Sequence, residues 1–189
     1  MNIIIDAGHG GQDFGATFKE AKEKDITLSI AKKVANNYIL GKKIMTRERD
    51  EMVPLEKRVQ IANNSGYDFF ISIHCNADPD PDIPGMPEGK GEEIWYCQGS
   101  KKGEACAKAL ASFVDMFFSD EPFRGCKAGN FYVLRKTIMP AVLVEVGFID
   151  NSKTIRELQD DYTQEEISRW LVCGIMNVKQ ILNAMKQGG

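Results

Sequence analysis

The chain has 189 residues, of which 43% are hydrophobic and 27% charged, and its formal net charge is −3 at pH 7. These values are typical of one globular domain, which we place over residues 1–189, and they exclude the basic surface that binds nucleic acid. Because no apolar run approaches ~20 residues, we expect no integral membrane segment. The chain enters an apolar run at once, so we expect synthesis in the cytoplasm without a signal peptide.

The first part of the chain alternates short apolar runs with helical patterns. Runs at 2–5, 43–45 and 69–74 predict strands, since they are rich in β-branched or aromatic residues and end at turn residues. Helical spacing of apolar residues predicts one helix over 25–40 with Asp25 as its N-cap, and another from Pro54 to about residue 65. The proline-rich segment 78–89 predicts a surface loop, which we expect to shape a substrate groove.

The second part of the chain repeats this alternation. Runs at 92–96, 131–134 and 141–144 predict strands, and helical spacing predicts helices over 101–118 and 164–185. The segment between residues 122 and 129 predicts a loop. Strands that alternate with helices predict an α/β fold, here a twisted, mostly parallel sheet of about six strands with helices on both faces.

The cysteines indicate neither disulfides nor a thiolate metal site. Their number is odd, and no two of them form a Cys-x-x-Cys pair. We therefore expect reduced thiols at all five positions, which are Cys75, Cys97, Cys106, Cys126 and Cys173.

Three buried apolar runs end on a side chain that can bind a metal or move a proton. His9 follows the first run, His74 ends the run that starts at Phe69, and Glu145 follows the run 141–144. The carboxyl ends of parallel strands meet at one edge of a sheet, where open α/β folds place their sites. Two histidines and a carboxylate form a ligand set that is typical of catalytic zinc.

The third ligand and the catalytic base have candidates among the carboxylates of the chain. Glu23 is the best candidate ligand because it lies in the loop after the first strand, just before a helix, and Glu20 and Asp25 are its rivals. Charge pattern alone favours the alternative that Glu23 is one more solvated charge in the segment 19–24. If Glu145 is not a ligand, it can accept a proton from water and return it to a leaving amine.

Each candidate also has a structural interpretation. A histidine at a strand end is often a structural residue. The alternative for Glu145 is a buried ion pair with Arg47 or Arg135. The glycine-rich segment 6–11 can also be compared with phosphate-binding loops, but it lacks both of their glycine patterns.

Five segments, in this order, resemble the motifs of the N-acetylmuramoyl-L-alanine amidase family of zinc enzymes, whose catalytic domain begins with Asp-x-Gly-His-Gly-Gly. The resemblance covers nearly the whole chain and implies that His9, Glu23 and His74 bind one Zn²⁺, with Glu145 as the catalytic carboxylate. It selects Glu23 over its rivals. The segments are 6–11, 23–31, 46–50, 72–77 and 144–151.

The resemblance implies that the substrate is peptidoglycan and that the scissile bond joins N-acetylmuramic acid to L-alanine. Arg135 follows a predicted strand that leads to the same sheet edge, so we predict that it contacts a carboxylate of the stem peptide. Asn76 is a candidate to orient a ligand or a substrate carbonyl, and an equal alternative is that it caps the turn after the strand.

The sequence shows none of the autoinhibitory helix, secretion signal and wall-binding module of many relatives. We therefore expect a phage or prophage endolysin, a sporulation lysin or another autolysin, which would act on the cell wall after release, or equally the excised catalytic half of a longer protein, and we expect a monomer. Two alternatives use the same residues. One is a zinc peptidase or deacetylase acting on a different amide, and the other is a wall-binding relative without activity.

Overall fold

The computed structural model describes residues 1–78, 89–118 and 122–187. Six strands form one sheet in the order β4-β1-β5-β8-β6-β7, and β2 and β3 form a separate hairpin. The strands are β1 (Ile3–Ala7), β2 (Thr17–Phe18), β3 (Ala21–Lys22), β4 (Lys43–Met45), β5 (Phe69–Asn76), β6 (Glu93–Cys97), β7 (Cys126–Gly129) and β8 (Ala141–Phe148).

The sheet is parallel except at one junction. The β1, β4, β5 and β8 strands run in one direction, while β6 pairs with β8 in the antiparallel sense and β7 is parallel to β6. The prediction of a mostly parallel, six-stranded α/β sheet is therefore confirmed. The carboxyl ends of β1, β5 and β8 lie side by side, as the motif argument requires.

Seven helices are present in the described part of the chain. They are α1 (Glu23–Asn37), α2 (Leu55–Ser65), α3 (Lys101–Ala111), α4 (Val114–Phe117), α5 (Tyr132–Lys136), α6 (Thr154–Gln159) and α7 (Asp161–Gln187). Within these residues, no helix is both long and apolar enough to cross a membrane.

Both faces of the sheet are packed, because successive residues of a strand point to opposite faces. On one face, Ile3 and Ile5 join the large core under α1, α3 and α7. On the other face, Ile4 joins a smaller core with residues of α2 and α5. Burial on both faces explains why β1 and β5 read as continuous apolar runs.

The segment 131–134 is not a strand as predicted but enters the short helix α5. Consecutive residues Val133 and Leu134 are both buried there against the smaller core, and a short apolar run does not by itself distinguish a strand from a helix. The sixth strand of the sheet is instead β7, within the segment predicted as a loop. It lies at the sheet edge and has no long apolar run to mark it.

Two helix predictions also need correction. Asp25 is not the N-cap of α1, because the helix already begins at Glu23 after the extended residue Lys22. The helix predicted over 101–118 is divided at Ser112 and Phe113 into α3 and α4. The long closing helix is confirmed as α7.

The cysteines are unpaired, as predicted. Most of the proline-rich segment, residues 79–88, lies outside the described residues, so its predicted role stays a prediction.

Candidate active site

The His9 side chain is presented by the turn that follows β1. The residue has a φ of 60°, a left-handed conformation that is uncommon for a side chain other than glycine. Two buried arginines hold this turn. Arg58 donates to the carbonyls of Ala7 and His9, and Arg47 donates to the carbonyls of Ala7 and Gly8.

The buried carboxylate of Asp6 holds Arg58, one of the two arginines that support the His9 turn. Asp6 forms an ion pair with Arg58 at 2.7 Å and accepts hydrogen bonds from Thr46 and Ser72, each at 2.6 Å. Burial alone would raise the pKa of Asp6, but the charge of Arg58 and these hydrogen bonds lower it. The sequence patterns pointed to neither Asp6 nor Arg58 as a support for the site.

Glu23, the first residue of α1, lies between the two histidines. Its Oε1 is 3.0 Å from His74 Nδ1, and its Oε2 is 3.1 Å from His9 Nε2. Backbone N–H groups of Ala16 and Cys75 donate to the same carboxylate at 2.8 and 2.9 Å. Four contacts therefore fix the orientation of Glu23, whose rivals Glu20 and Asp25 are not part of the cluster.

The cluster of His9, Glu23 and His74 has the composition of a zinc site. One donor atom from each residue lies within 4.8 Å of the others, and the two imidazole rings meet edge to face at 5.0 Å. Two nitrogen donors and one carboxylate oxygen form a known set for catalytic zinc, which keeps a further position for water or substrate. The donor chemistry therefore fits this metal.

Glycines make room for the cluster. A Cβ atom at Gly8 would lie 2.5 Å from His74 Cε1, and one at Gly15 would lie 2.5 Å from Glu23 Oε2. Since real Cβ atoms do not approach so closely, any side chain at these positions would displace a candidate ligand.

The charges of the cluster are strongly coupled. Burial lowers the pKa of both histidines, but the hydrogen bonds to Glu23 and the negative charge of Glu23 outweigh this effect. The pKa of His9 is raised to about 8, and that of His74 is raised above its usual value. Burial raises the pKa of Glu23, but its hydrogen bonds to His74 and His9 lower it well below the usual range. Without a metal, protons therefore compete for the ligand atoms.

Asp13 holds His9 from the other side, with Oδ2 at 2.9 Å from His9 Nδ1. A carboxylate on the outer nitrogen of a ligand histidine fixes its ring orientation and increases its basicity. The sequence patterns did not point to Asp13, although its position four residues after His9 in the glycine-rich turn is a usable signal.

Glu145 lies beside the cluster and not within it. On β8 it is the register neighbour of His74 on β5, and its Oε2 is buried without a hydrogen-bond partner among the described residues. Burial raises the pKa of Glu145 to about 7; the charge of His74 opposes this shift, and those of Glu23 and Glu93 add to it. A carboxylate with a pKa near neutrality is suited to both accepting and donating a proton.

The alternative ion pair of Glu145 is not present within the described part of the chain. Arg47 is occupied by backbone carbonyls. Arg135 lies on α5, where it is exposed and stands 5.9 Å from the centre of the Tyr132 ring.

The prediction that Arg135 faces the site assumed a strand at 131–134, but Arg135 lies on the helix α5. Asn76 is near the site at the end of β5, but its Oδ1 accepts a hydrogen bond from the N–H of Ala77 at 2.9 Å. This contact favours the turn-capping alternative for Asn76 in the structure.

A cavity of about 440 Å³ opens over the cluster. Its polar lining includes His9, His74 and Glu145. Its walls are mainly apolar and come from the start of α2 and from the segment leading into α5, with Met52, Val53, Pro54, Leu55, Phe131, Tyr132 and Val133. Two of the candidate metal ligands, His9 and His74, and the candidate base Glu145 thus face one cavity that is large enough for part of a substrate.

The comparison with known families agrees with these features. The family model described as N-acetylmuramoyl-L-alanine amidase matches residues 3–177. The chain belongs to this family. The resemblance that the five motifs indicated is therefore confirmed.

Two relatives illustrate the range of the amidase family. N-acetylmuramoyl-L-alanine amidase CwlM of Bacillus licheniformis is 34% identical over 89% of this chain and 65% of its own length. The endolysin of Bacillus phage SPP1 is 34% identical over 99% of this chain and 68% of its own length. The chain thus spans about two thirds of the length of these two relatives.

Solved amidase structures share the fold. The crystal structure of N-acetylmuramoyl-L-alanine amidase from Clostridium difficile 630 aligns with a TM-score of 0.87 at 31% identity, covering 95% of this chain and 96% of that one. The catalytic domain of CwlV from Bacillus (Paenibacillus) polymyxa var. colistinus aligns with a TM-score of 0.84 at 30% identity, covering 95% and 98%.

Proposed function

We propose that this chain hydrolyses the amide bond between N-acetylmuramic acid and L-alanine in peptidoglycan, using one Zn²⁺ held by His9, Glu23 and His74. Membership of the amidase family supports the reaction. The observation that carries the assignment of residues is the convergence of three donor atoms within 4.8 Å beside the buried carboxylate of Glu145.

Bound zinc would supply a Lewis acid that polarises the scissile carbonyl and acidifies the attacking water. The protein groups then have separate tasks. Glu145 accepts the proton of the attacking water and donates it to the amine of L-alanine as the C–N bond breaks. Asp13 keeps the His9 ring oriented, and the backbone donors on Glu23 keep its carboxylate in place.

The surroundings of Glu145 suit this task. Its Oε2 atom is buried, and the cavity that it shares is lined by apolar side chains such as Leu143, Phe131 and Val133. A carboxylate in such surroundings holds a proton more readily than an exposed one. It can therefore return the proton to the leaving amine.

We keep Arg135 as a proposed contact for a stem-peptide carboxylate and Asn76 as a proposed orienting group. Charge reversal at Arg135 should lower turnover of intact cell wall. Unchanged turnover would remove the proposal for Arg135.

We propose that the protein acts on the cell wall as a monomer, after release from the cytoplasm. Its relatives include both the phage endolysin and a sporulation-specific amidase of Bacillus subtilis. Lysis and controlled wall turnover are therefore both consistent with the chain.

The test is mass spectrometry of the soluble products after purified sacculi are incubated with the protein, with and without a chelator. We expect free stem peptides that begin with L-alanine, and only in the presence of metal. Other metal-dependent fragments would indicate a peptidase or deacetylase. No products would indicate a wall-binding protein.

A further inference from the structure

We infer that Arg124 and Lys127 form a subsite that binds a carboxylate of the stem peptide, on the leaving-group side of the scissile bond. This inference rests on the proposed function, since it assigns the substrate contacts of the same site.

The position of the subsite follows from the sheet register. Glu93 on β6 is paired directly with Glu145 on β8, so their Cβ atoms are about 5 Å apart and both side chains are on the same face. The row of His74, Glu145 and Glu93 thus leads from the candidate metal ligands towards β7. Because Glu145 is proposed to protonate the leaving amine, the groups beyond it lie on the side of the stem peptide.

Two cations share one carboxylate oxygen at the end of this row. Arg124 Nε and Lys127 Nζ both contact Oε1 of Glu93, the latter at 2.8 Å. Burial raises the pKa of Glu93, but these two partners lower it below its usual value, so the group is anionic at neutral pH. The three side chains carry a net charge of +1.

The cations remain accessible while the carboxylate does not. Side-chain exposure is 40% for Arg124 and 34% for Lys127, but 3% for Glu93. Glu93 therefore serves to position the two cations, whose side chains stay partly accessible to a ligand. A guanidinium and an ammonium that are held together favour a carboxylate ligand.

An aromatic surface connects the two cations to the cavity. Phe131 lines the cavity and packs edge to face on Trp95 at 5.3 Å, and Lys127 Nζ lies 5.4 Å from the centre of the Trp95 ring. Trp95 and Lys127 are also register neighbours of β6 and β7. A substrate that extends from the candidate metal site along Phe131 is therefore led to Lys127, which shares the carboxylate of Glu93 with Arg124.

The substrate offers a matching group. The residue after L-alanine in the stem is linked onward through its γ-carboxyl, so as glutamate it carries a free α-carboxylate, whereas as isoglutamine, with the α-carboxyl amidated, it is neutral. The subsite therefore predicts a preference for the acidic stem over the amidated one, expressed mainly in KM because the contact is made equally with the bound substrate and with the transition state.

The experiment compares two synthetic substrates whose γ-carboxyl is blocked as a methylamide, MurNAc-L-Ala-D-Glu γ-methylamide and MurNAc-L-Ala-D-isoglutamine γ-methylamide, with zinc-loaded protein, so that the substrates differ only in the charge of the α-carboxyl group. We expect kcat/KM to be about tenfold higher for the acidic substrate, the size of one hydrogen bond between charged groups. Lys127→Met should remove most of this preference by raising KM for the acidic substrate alone. Lys127→Arg should retain the preference, and Lys186→Met, an exposed lysine on α7, should not change it.

The outcomes separate the two proposals. Equal activity of the unmodified protein on both substrates would overturn the subsite while leaving the amidase function intact. An equal loss on both substrates in Lys127→Met would show that the lysine acts only structurally, and it would also overturn the subsite. No cleavage of either substrate would overturn the proposed function, and the subsite with it.

Discussion

Replacement of Glu145 by Gln tests both the catalytic role of this residue and the physical reason for its reactivity. The substitution keeps the shape of the side chain and removes its ionisation. With zinc bound, we expect kcat to fall by about 10²- to 10⁴-fold, the usual contribution of a general acid or base. Zinc content should be unchanged, because Glu145 is not in the ligand cluster.

In the metal-free protein, we expect the same substitution to increase stability at neutral pH. Burial raises the pKa of Glu145 from 4.5 to about 7. The folded state then binds this proton more tightly than the unfolded state, so stability is lost as pH rises from about 4.5 to about 7. At roughly 1.4 kcal/mol per pKa unit, the ionised carboxylate destabilises the fold by up to about 3 kcal/mol above pH 7.

Glu145→Gln removes this penalty. We therefore expect the free energy of unfolding of the variant, relative to the original protein, to rise by up to about 3 kcal/mol between pH 4.5 and pH 8. Urea unfolding in the presence of a chelator measures this difference at each pH. Glu48→Gln, at an exposed position, provides the matched control and should show no comparable change.

Two results would refute this reasoning. A stability difference that does not change with pH would mean that burial does not keep Glu145 protonated. Retained hydrolysis by the zinc-loaded variant would mean that another group transfers the proton.

Three further predictions concern the ligand cluster and the core. Zinc affinity, measured by chelator competition, should rise with pH up to about 8, because protonated His9, with its pKa of about 8, cannot bind metal; a flat profile would contradict this. Gly8→Ala should weaken zinc binding by displacing His74, whereas Gly66→Ala, where a Cβ meets nothing within 4 Å, should not; equal zinc affinity in both variants would refute the steric argument. Ile71→Ala should lower unfolding stability by about 2–5 kcal/mol in urea titrations, since Ile71 is fully buried; a loss below ~1 kcal/mol would show that the core relaxes around the gap.

The sequence determined the elements that bury apolar surface and the residues that end them. The β1 and β5 runs were recognisable because both of their faces are covered, and turn residues marked where each run stops. Since parallel strands end at a common edge, His9, His74 and Glu145 could be brought together from the pattern alone. The resemblance to a family was needed to select Glu23, because a carboxylate in a charged segment has no distinguishing periodicity.

The tertiary structure decided what depends on neighbours distant in sequence. The strand at 126–129 pairs at the sheet edge, where few apolar residues are needed, and the run at 131–134 buries consecutive side chains as a helix. The roles of Asp13 and Arg58, and the cation pair on Glu93, also follow from three-dimensional packing. The periodicity of apolar residues indicates which residues are buried. It does not indicate which buried polar groups contact one another, because those contacts form only when the strands pair.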